Sequence, residues 1–218
     1  MRKMYKIAVI SDKESWINPY LCYFVQQLQS KGYEVFRGYE FDKKNSYDIV
    51  FLLSYSQIIK RKDLARNRHN LVVHESDLPK GKGWSPLTWQ ILEGKSSCVI
   101  TLFEADEKVD NGEIYLQRIM NFAGNELIDE LREIQARHTI EMCIEFICDY
   151  ENIIRNVRPQ VGIATHYPRR TLKDSELDVQ QTIEEQFNLL RIVDNEKYPA
   201  YFYMHGQKYI IKIYKHNS

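Results

Sequence analysis

The first third of the chain alternates short apolar runs with a helical pattern, and this order constrains the fold most. Residues 5–10 (YKIAVI) form a short apolar run that is typical of a buried strand. Residues 19–30 carry apolar side chains at helical spacing, and a Lys-Gly pair closes the segment. Two further apolar runs follow at 33–36 and 48–53. Strands joined by a helix in this order predict a parallel sheet in an α/β fold.

The remaining elements continue this pattern and then change in character. We expect strands at 71–74, 97–103 and 113–119 and a helix from 86 to 93. A long helical pattern runs from 125 to about 157, with a polar break near 135–139. A short helix at 183–192 and a hairpin of strands 200–204 and 208–214, with Gly206 in the turn, end the chain. We therefore predict a main domain, residues 1–158, and a small C-terminal subdomain, residues 159–218.

The charge balance argues against several classes of protein. Lys and Arg number 30, and so do Asp and Glu, so no net charge attracts the chain to nucleic acid or to an anionic membrane. No apolar run approaches the ~20 residues that span a bilayer, and the start of the chain does not have the pattern of a signal peptide. We expect a soluble, cytoplasmic protein.

Two common chemistries are also disfavoured. The loop after the first strand, residues 11–16, contains no glycine, whereas a dinucleotide pyrophosphate needs close backbone approach at that point. A dehydrogenase is therefore disfavoured. The four cysteines form no CxxC pair, so we expect no metal and interpret them as reduced thiols.

His74 ends the predicted fourth strand and is followed by a loop with two glycines and a proline. Open α/β sheets bind ligands at the carboxyl ends of their strands. A structural histidine that bonds to the loop backbone would give the same local pattern. His74 alone therefore does not decide between the two interpretations.

The residues around His74 resemble a known family. Residues 74–83 (HESDLPKGKG) resemble the H-x-S-x-L-P-x-x-x-G signature of the folate-dependent formyltransferases, which include methionyl-tRNA, glycinamide ribonucleotide and nucleotide-sugar N-formyltransferases. Residues 84–94 are similar to that family's helix and its closing glycine, and residues 99–103 to its next strand. Residues 109–114 (VDNGEI) are similar to its D-x-G-x-I element.

The resemblance implies both a fold and a reaction. The fold would be a Rossmann-like formyltransferase fold with a mostly parallel sheet, followed by a long helix and a small subdomain of a helix and a β-hairpin. The reaction would transfer a formyl group from 10-formyltetrahydrofolate to a primary amine. His74 and Asp110 match the family's catalytic histidine and aspartate. His74 would donate a hydrogen bond to the developing oxyanion, and Asp110 would accept a proton or stabilise charge.

The chain departs from the family pattern at Val72. The family usually has an asparagine two residues before the histidine. Asn70 has the same strand parity, but at ~3.3 Å per residue it would lie ~13 Å from His74. Either another donor holds the oxyanion, or the protein does not catalyse the usual reaction.

The resemblance also implies where the folate lies, along the loop of residues 103–110. The predicted cofactor-binding residues are Tyr55, Ile58, Phe103, Glu104, Ala105, Asp106 and Val109. Ile58 and its neighbour Ile59 could equally be ordinary core residues.

The amine acceptor is inferred from charge and from the C-terminal segment. Zero net charge and a length of 218 residues argue against tRNA, whereas glycinamide ribonucleotide is compatible with the size. Residues 167–171 (YPRRT) are similar to the tail of sugar-directed formyltransferases, and paired arginines can bind a diphosphate, although a solvated basic pair would look the same. The predicted substrate-binding residues are Trp16, Asn18, Ser76, Lys80, Lys82, Trp84, Tyr167, Arg169 and Arg170.

These observations favour an N-formyltransferase that acts on a nucleotide-linked amino-deoxy sugar for surface-glycan biosynthesis. The nearest resemblance is to the enzyme of pseudaminic-acid-type synthesis, with a UDP-linked 4-amino sugar as substrate. A non-catalytic formyltransferase-like binding protein and a formyl-folate hydrolase remain as alternatives, as does a formyltransferase for another small amine. The aromatic C-terminal hairpin predicts a homodimer surface.

Overall fold

A six-stranded sheet forms the centre of the computed structural model, which describes residues 4–216. The strands are β1 (Lys6–Ile10), β2 (Glu34–Gly38), β3 (Ile49–Leu52), β4 (His69–His74), β5 (Lys82–Gly83), β6 (Ser97–Glu104), β7 (Ile114–Asn121), β8 (His166–Tyr167), β9 (Ala200–Met204) and β10 (Gln207–Ile211). The helices are α1 (Asn18–Ser30), α2 (Arg61–Leu64), α3 (Pro86–Leu92), α4 (Ile128–Cys148), α5 (Tyr150–Arg155) and α6 (Phe187–Ile192). A 3₁₀ turn spans Leu172–Ser175.

The central sheet has the strand order β2-β1-β3-β4-β6-β7. The pairs of β1 with β2, β1 with β3, and β3 with β4 are parallel. β6 runs antiparallel to both β4 and β7. The predicted α/β fold with a mostly parallel sheet is confirmed.

Helix α1 forms where the apolar spacing predicts it. Its buried residues Leu21, Phe24 and Leu28 recur every three or four positions and pack against the sheet. The ring of Phe24 meets that of Phe51 on β3, with centroids 5.8 Å apart. Gly32 follows the helix with φ +88°, a left-handed conformation that glycine adopts without steric cost.

Helix α4 does not have the polar break that the sequence predicts near residues 135–139. Ala136 and Thr139 are buried on its inner face, so the segment packs as helix. The amide of Gln135 donates to the Glu75 carboxylate over 2.6 Å, and His138 bonds to the carbonyl oxygen of Ile134. Because these polar groups have partners, the helix continues without interruption to Cys148.

The C-terminal segment contains a shorter helix than expected and the expected hairpin. α6 begins at Phe187, because the Glu185 carboxylate binds the backbone N–H and the hydroxyl of Thr182 in a local turn. β9 and β10 pair antiparallel around Gly206, which has φ +78°. The division at residue 158 stays a prediction. In residues 4–216, no helix is long and apolar enough to cross a membrane.

Candidate active site

His74 lies at the carboxyl end of β4, and the following loop folds back over its ring. The imidazole Nε2 is 2.8 Å from the carbonyl oxygen of Gly81. Gly81 has φ +68°, and a Cβ there would stand 2.9 Å from the Tyr167 ring and 3.0 Å from Cβ of Ser76. Glycine is therefore required for the loop to approach the histidine so closely.

Asp110 reaches the same place from the loop between β6 and β7. Its Oδ2 lies 3.7 Å from Nε2 of His74 and accepts a hydrogen bond of 2.8 Å from the backbone N–H of Gly83. The two side chains are 8% and 9% exposed, respectively. Two residues that are 36 positions apart (110 − 74) thus meet at a nearly covered point at one edge of the sheet.

Backbone contacts fix the loop that carries Asp110. Gln160 donates from Nε2 to the carbonyl oxygens of Asp110 and Gly112, over 3.0 Å and 2.9 Å. Gly112 lies directly against the backbone of Glu104, where a Cβ would clash with the carbonyl group. The Lys82 ammonium donates to Oδ1 of Asn111 over 3.0 Å. The position of Asp110 is therefore fixed by contacts within its own loop, by Gly83 of β5 and by Gln160, which follows α5.

The geometry suits proton transfer and stabilisation of an oxyanion. The bond from His74 to the Gly81 carbonyl is the one that a purely structural histidine would make, and the Asp110 carboxylate 3.7 Å away adds a proton acceptor at the same point. The pair can thus donate a hydrogen bond to an oxyanion and accept a proton from a nucleophile.

Neither Val72 nor Asn70 places a polar group beside His74 and Asp110. Val72 packs in an apolar cluster with Leu78, Phe103 and Ile114. The side chain of Asn70 is buried and donates to the carbonyl oxygen of Leu64 over 3.0 Å. Asn70 is therefore committed to the scaffold, as its distance along the strand predicts.

Three of the predicted folate-binding side chains have structural partners. The Tyr55 hydroxyl accepts the backbone N–H of Phe41, and Phe103 is buried in the core. The Glu104 carboxylate accepts the Asn70 backbone N–H over 2.6 Å and the Tyr115 hydroxyl over 2.9 Å. These side chains support the loop, and their contact with folate stays a prediction.

The rest of that loop fits a flat heteroaromatic ligand. Ile58 and Val109 are exposed apolar side chains, whereas Ile59 is buried. Ala105 donates its N–H to the carbonyl oxygen of Asn70 and continues the sheet edge. Within residues 4–216, the backbone N–H groups of Asp106, Lys108 and Val109 make no hydrogen bond inside the chain. Free amides beside apolar side chains could bind the edge and the face of a pterin ring.

The predicted substrate-binding residues separate into two groups. The structure brings Trp84, Arg169 and Arg170 together in a cleft of about 270 Å³. Tyr167 stacks on Trp89 beside it, with centroids 6.3 Å apart. The sequence did not predict two charged residues of this cleft, Arg132 and Asp194, which pair with each other. Arg132 lies on a helix face and Asp194 lies in a connecting segment, so no local motif marks them.

The other predicted substrate residues lie outside that cleft. Asn18 shapes the loop after β1, because its amide donates to the carbonyl oxygens of Asp12 and Lys13. Trp16 packs against the core, Ser76 and Lys82 are buried beside His74, and Lys80 is exposed. Over the described part of the chain, no group of three or more His, Cys, Asp or Glu residues could hold a metal ion.

Comparison with known protein families gives a match to the formyl transferase model over residues 39–145. Among curated proteins, methionyl-tRNA formyltransferase from Thermotoga neapolitana is 30% identical over 150 residues, which cover 68% of this chain and 48% of that protein. The corresponding enzyme from Thermodesulfovibrio yellowstonii is 26% identical over 145 residues, 66% of this chain and 47% of that protein. The chain thus spans about half the length of these relatives.

Solved structures share the fold over nearly the whole chain. A methionyl-tRNA formyltransferase from Clostridium thermocellum superposes with a TM-score of 0.79 at 21% identity, covering 97% of this chain and 94% of that one. A sugar N-formyltransferase from a Shewanella species gives 0.70 at 14% identity, covering 98% and 99%. HypX from Aquifex aeolicus in complex with tetrahydrofolic acid gives 0.73 at 15% identity, covering 97% and 38%.

Proposed function

The chain belongs to the formyltransferase family, and from this premise we propose that it transfers a formyl group from 10-formyltetrahydrofolate to a primary amine. The observation that carries the proposal is the approach of His74 and Asp110 to 3.7 Å beside the loop of residues 105–110. The matched family region contains both residues. The tetrahydrofolic acid in the structure of HypX supports a folate as the formyl donor.

In this reaction, His74 would act on the formyl oxygen and Asp110 would act on the attacking amine. When bound, 10-formyltetrahydrofolate supplies an activated formyl carbon. His74 would donate a hydrogen bond to the formyl oxygen as negative charge develops there, and one such donor typically lowers the barrier by ~3 kcal/mol. Asp110 would accept the proton that the attacking amine loses, and a proton would pass to the nitrogen of tetrahydrofolate as its bond to the formyl carbon breaks, while Gly83 keeps the Asp110 carboxylate oriented.

We propose a nucleotide-linked amino-deoxy sugar as the amine acceptor, and a UDP-linked 4-amino sugar as its more specific form. The sequence relatives carry the name of methionyl-tRNA formyltransferases, whereas one structural neighbour is a sugar N-formyltransferase. The zero net charge does not provide the basic surface that tRNA binding needs. A cleft with arginine and aromatic side chains beside the candidate active site suits a nucleotide.

The experiment measures the release of folate in the presence and absence of the amine. The purified chain is incubated with 10-formyltetrahydrofolate and a panel of UDP- and dTDP-linked amino sugars, and formylated products are identified by mass spectrometry. We expect release that depends on the amine. Release without an amine would instead identify a hydrolase, and no release would identify a binding protein, the alternative that the apolar surroundings of Val72 favour.

We also propose a homodimer in the cytoplasm. The hairpin of β9 and β10 exposes Tyr203, Met204, Tyr209 and Ile210, which suits a surface that a second copy covers. All four cysteines are free thiols, as expected in a reducing compartment. Light scattering of the purified chain tests the dimer, and a monomeric mass would refute it.

A further inference from the structure

We propose that the cleft beside the candidate active site binds the diphosphate of the substrate, with Arg170 as the principal donor. We call it the arginine cleft, and define it by Trp84, Arg132, Arg169, Arg170, Asp194 and Tyr198. The proposal rests on the proposed function, because it assigns the anionic part of that substrate to particular residues.

Arg170 is an incompletely satisfied cation. Its Nη2 donates to the backbone carbonyl oxygen of Asp174 over 2.9 Å. Its Nε is buried and has no hydrogen-bond acceptor among residues 4–216. The Asp174 carboxylate does not form an ion pair with it and instead accepts the backbone N–H and hydroxyl of Thr171. The guanidinium group is therefore held on one side only, by the Asp174 carbonyl, and its remaining N–H donors suit an anionic ligand in the cleft.

The charge of the cleft favours an anion. Arg132 is held by Asp194, with Nη2 2.9 Å from Oδ2, so this pair is compensated. Arg169 and Arg170 belong to no ion pair in the described part of the chain. Asp129 also pairs with Arg132, at 3.5 Å, and the Asp174 carboxylate attracts Arg170 without bonding to it, so the guanidinium groups of Arg169 and Arg170 keep N–H donors for a ligand. Guanidinium groups bind phosphate oxygens with two parallel N–H donors, which suits a diphosphate.

Aromatic surfaces next to the arginines suit the rest of a nucleotide. The Arg169 guanidinium lies 4.8 Å from the centroid of the Trp84 ring, and Tyr198 is half exposed on the other side. Such rings can stack on a nucleobase or on a sugar face. The volume of about 270 Å³ lies just below the ~300–1,000 Å³ of ligand pockets, so the cleft takes only part of a nucleotide-linked sugar.

The backbone connects this cleft to the candidate catalytic pair. Trp84 lines the cleft, and the residue before it, Gly83, donates its N–H to the Asp110 carboxylate. Trp84 in turn donates its own N–H to the carbonyl oxygen of Tyr167, two residues before Arg169. We place the diphosphate at Arg170 and the reacting amine toward His74 and Asp110, because these backbone bonds put the cleft and the pair on adjoining segments.

Calorimetric titration tests the proposal without folate or turnover. The probes are inorganic pyrophosphate, uridine, UMP and UDP. We expect affinity to rise with each phosphate, and Arg170→Gln to weaken pyrophosphate and UDP at least tenfold while uridine binding is unchanged. Arg155→Gln, an exposed arginine at the end of α5, is the matched control and should stay within twofold of wild type.

Several outcomes would overturn the proposal. It fails if pyrophosphate and UDP bind Arg170→Gln as tightly as wild type, if neither binds wild type, or if an RNA acceptor-stem fragment is the ligand that requires Arg170. Arg170→Lys and Arg132→Gln serve if Arg170→Gln does not fold, as judged by thermal unfolding. Both should weaken pyrophosphate binding more than threefold, and unchanged affinity in both refutes the assignment.

The same variants separate this inference from the proposed function. Binding of UDP that depends on Arg170, with no release of folate in the presence of any amine, would support the cleft and refute the reaction. Amine-dependent release with an unchanged KM in Arg170→Gln would support the reaction and refute the cleft. His74→Ala should retain the wild-type affinity for UDP.

Discussion

Replacing Gly112 by alanine should displace the loop that carries Asp110. An added Cβ would stand 2.7 Å from the carbonyl carbon of Glu104 and closer still to its oxygen, whereas unstrained contacts need at least 3.0 Å. Both atoms belong to backbone, so no side chain can rotate away. The strand end and the loop must therefore separate by roughly 1 Å, a displacement that can cost 10²-fold in catalysis.

The expected stability cost is smaller than the catalytic one. Overpacking of a fixed site typically costs about 1–3 kcal/mol, which a folded domain of this size tolerates. The hydrogen bonds of Gln160 to Asp110 and Gly112 would lengthen in the same movement. We expect Gly112→Ala to fold and to lose about 10²-fold in kcat, with the rate of amine-dependent folate release as the assay.

Gly94→Ala is the matched control. Gly94 has φ +81° and nothing within 4 Å of an added Cβ, so alanine there is strained but does not clash. It should cost about 1–2 kcal/mol of stability and leave the rate unchanged. If Gly112→Ala keeps its rate within threefold of wild type, the loop does not position a catalytic carboxylate and the argument from the geometry fails.

Three further predictions concern individual side chains. His74→Ala and Asp110→Ala should each abolish formyl transfer in the folate-release assay, while His138→Ala, on the surface of α4, should not. Gln160→Leu removes two hydrogen bonds to the Asp110 loop, so unfolding in urea should show a loss of about 1–3 kcal/mol and kcat should fall. Burial raises the pKa of the Glu75 carboxyl group, so the stability it contributes is complete below its ordinary pKa of ~4.3 and declines as pH rises toward the raised value. As pH rises above ~4.3, Glu75→Gln should therefore lose less thermal stability than wild type, and parallel pH profiles of the two proteins would contradict this.

Local sequence patterns were sufficient to predict the sheet and its helices. The apolar runs of β1, β3 and β6 are nearly or fully buried, and a run of this kind has few alternatives to a central strand. The break expected near Gln135 was wrong, because its polar groups find partners on other elements that sequence spacing does not reveal. α6 was predicted too long for the opposite reason, since a local turn at Thr182 uses the groups that a helix would need.

The candidate site could be predicted only where a local motif marks it. His74 and Asp110 each stand in a short motif, so their positions followed from sequence even though their contact is a tertiary fact. Arg132 and Asp194 meet through packing of α4 against a segment 62 residues away, and neither has a motif. Glu104 shows the opposite case. It lies in the loop that was predicted to bind folate, but its carboxylate accepts the backbone N–H of Asn70 in the scaffold.

Because the surroundings of Val72 are apolar, fewer polar groups are left to carry out the chemistry of the site. A valine in the cluster with Leu78 and Phe103 cannot donate a hydrogen bond, and an asparagine there would bury an amide among apolar side chains. The loss of one oxyanion donor raises a barrier by ~3 kcal/mol, which slows a reaction without preventing it. The remaining polarity comes from His74 and the Asp110 carboxylate, and from backbone groups that the tightly folded 81–83 segment brings to within 2.8 Å of each. A site of this kind depends more on the position of its loops than on the number of its side chains, which is why substitution of a glycine should affect it as strongly as loss of a polar residue.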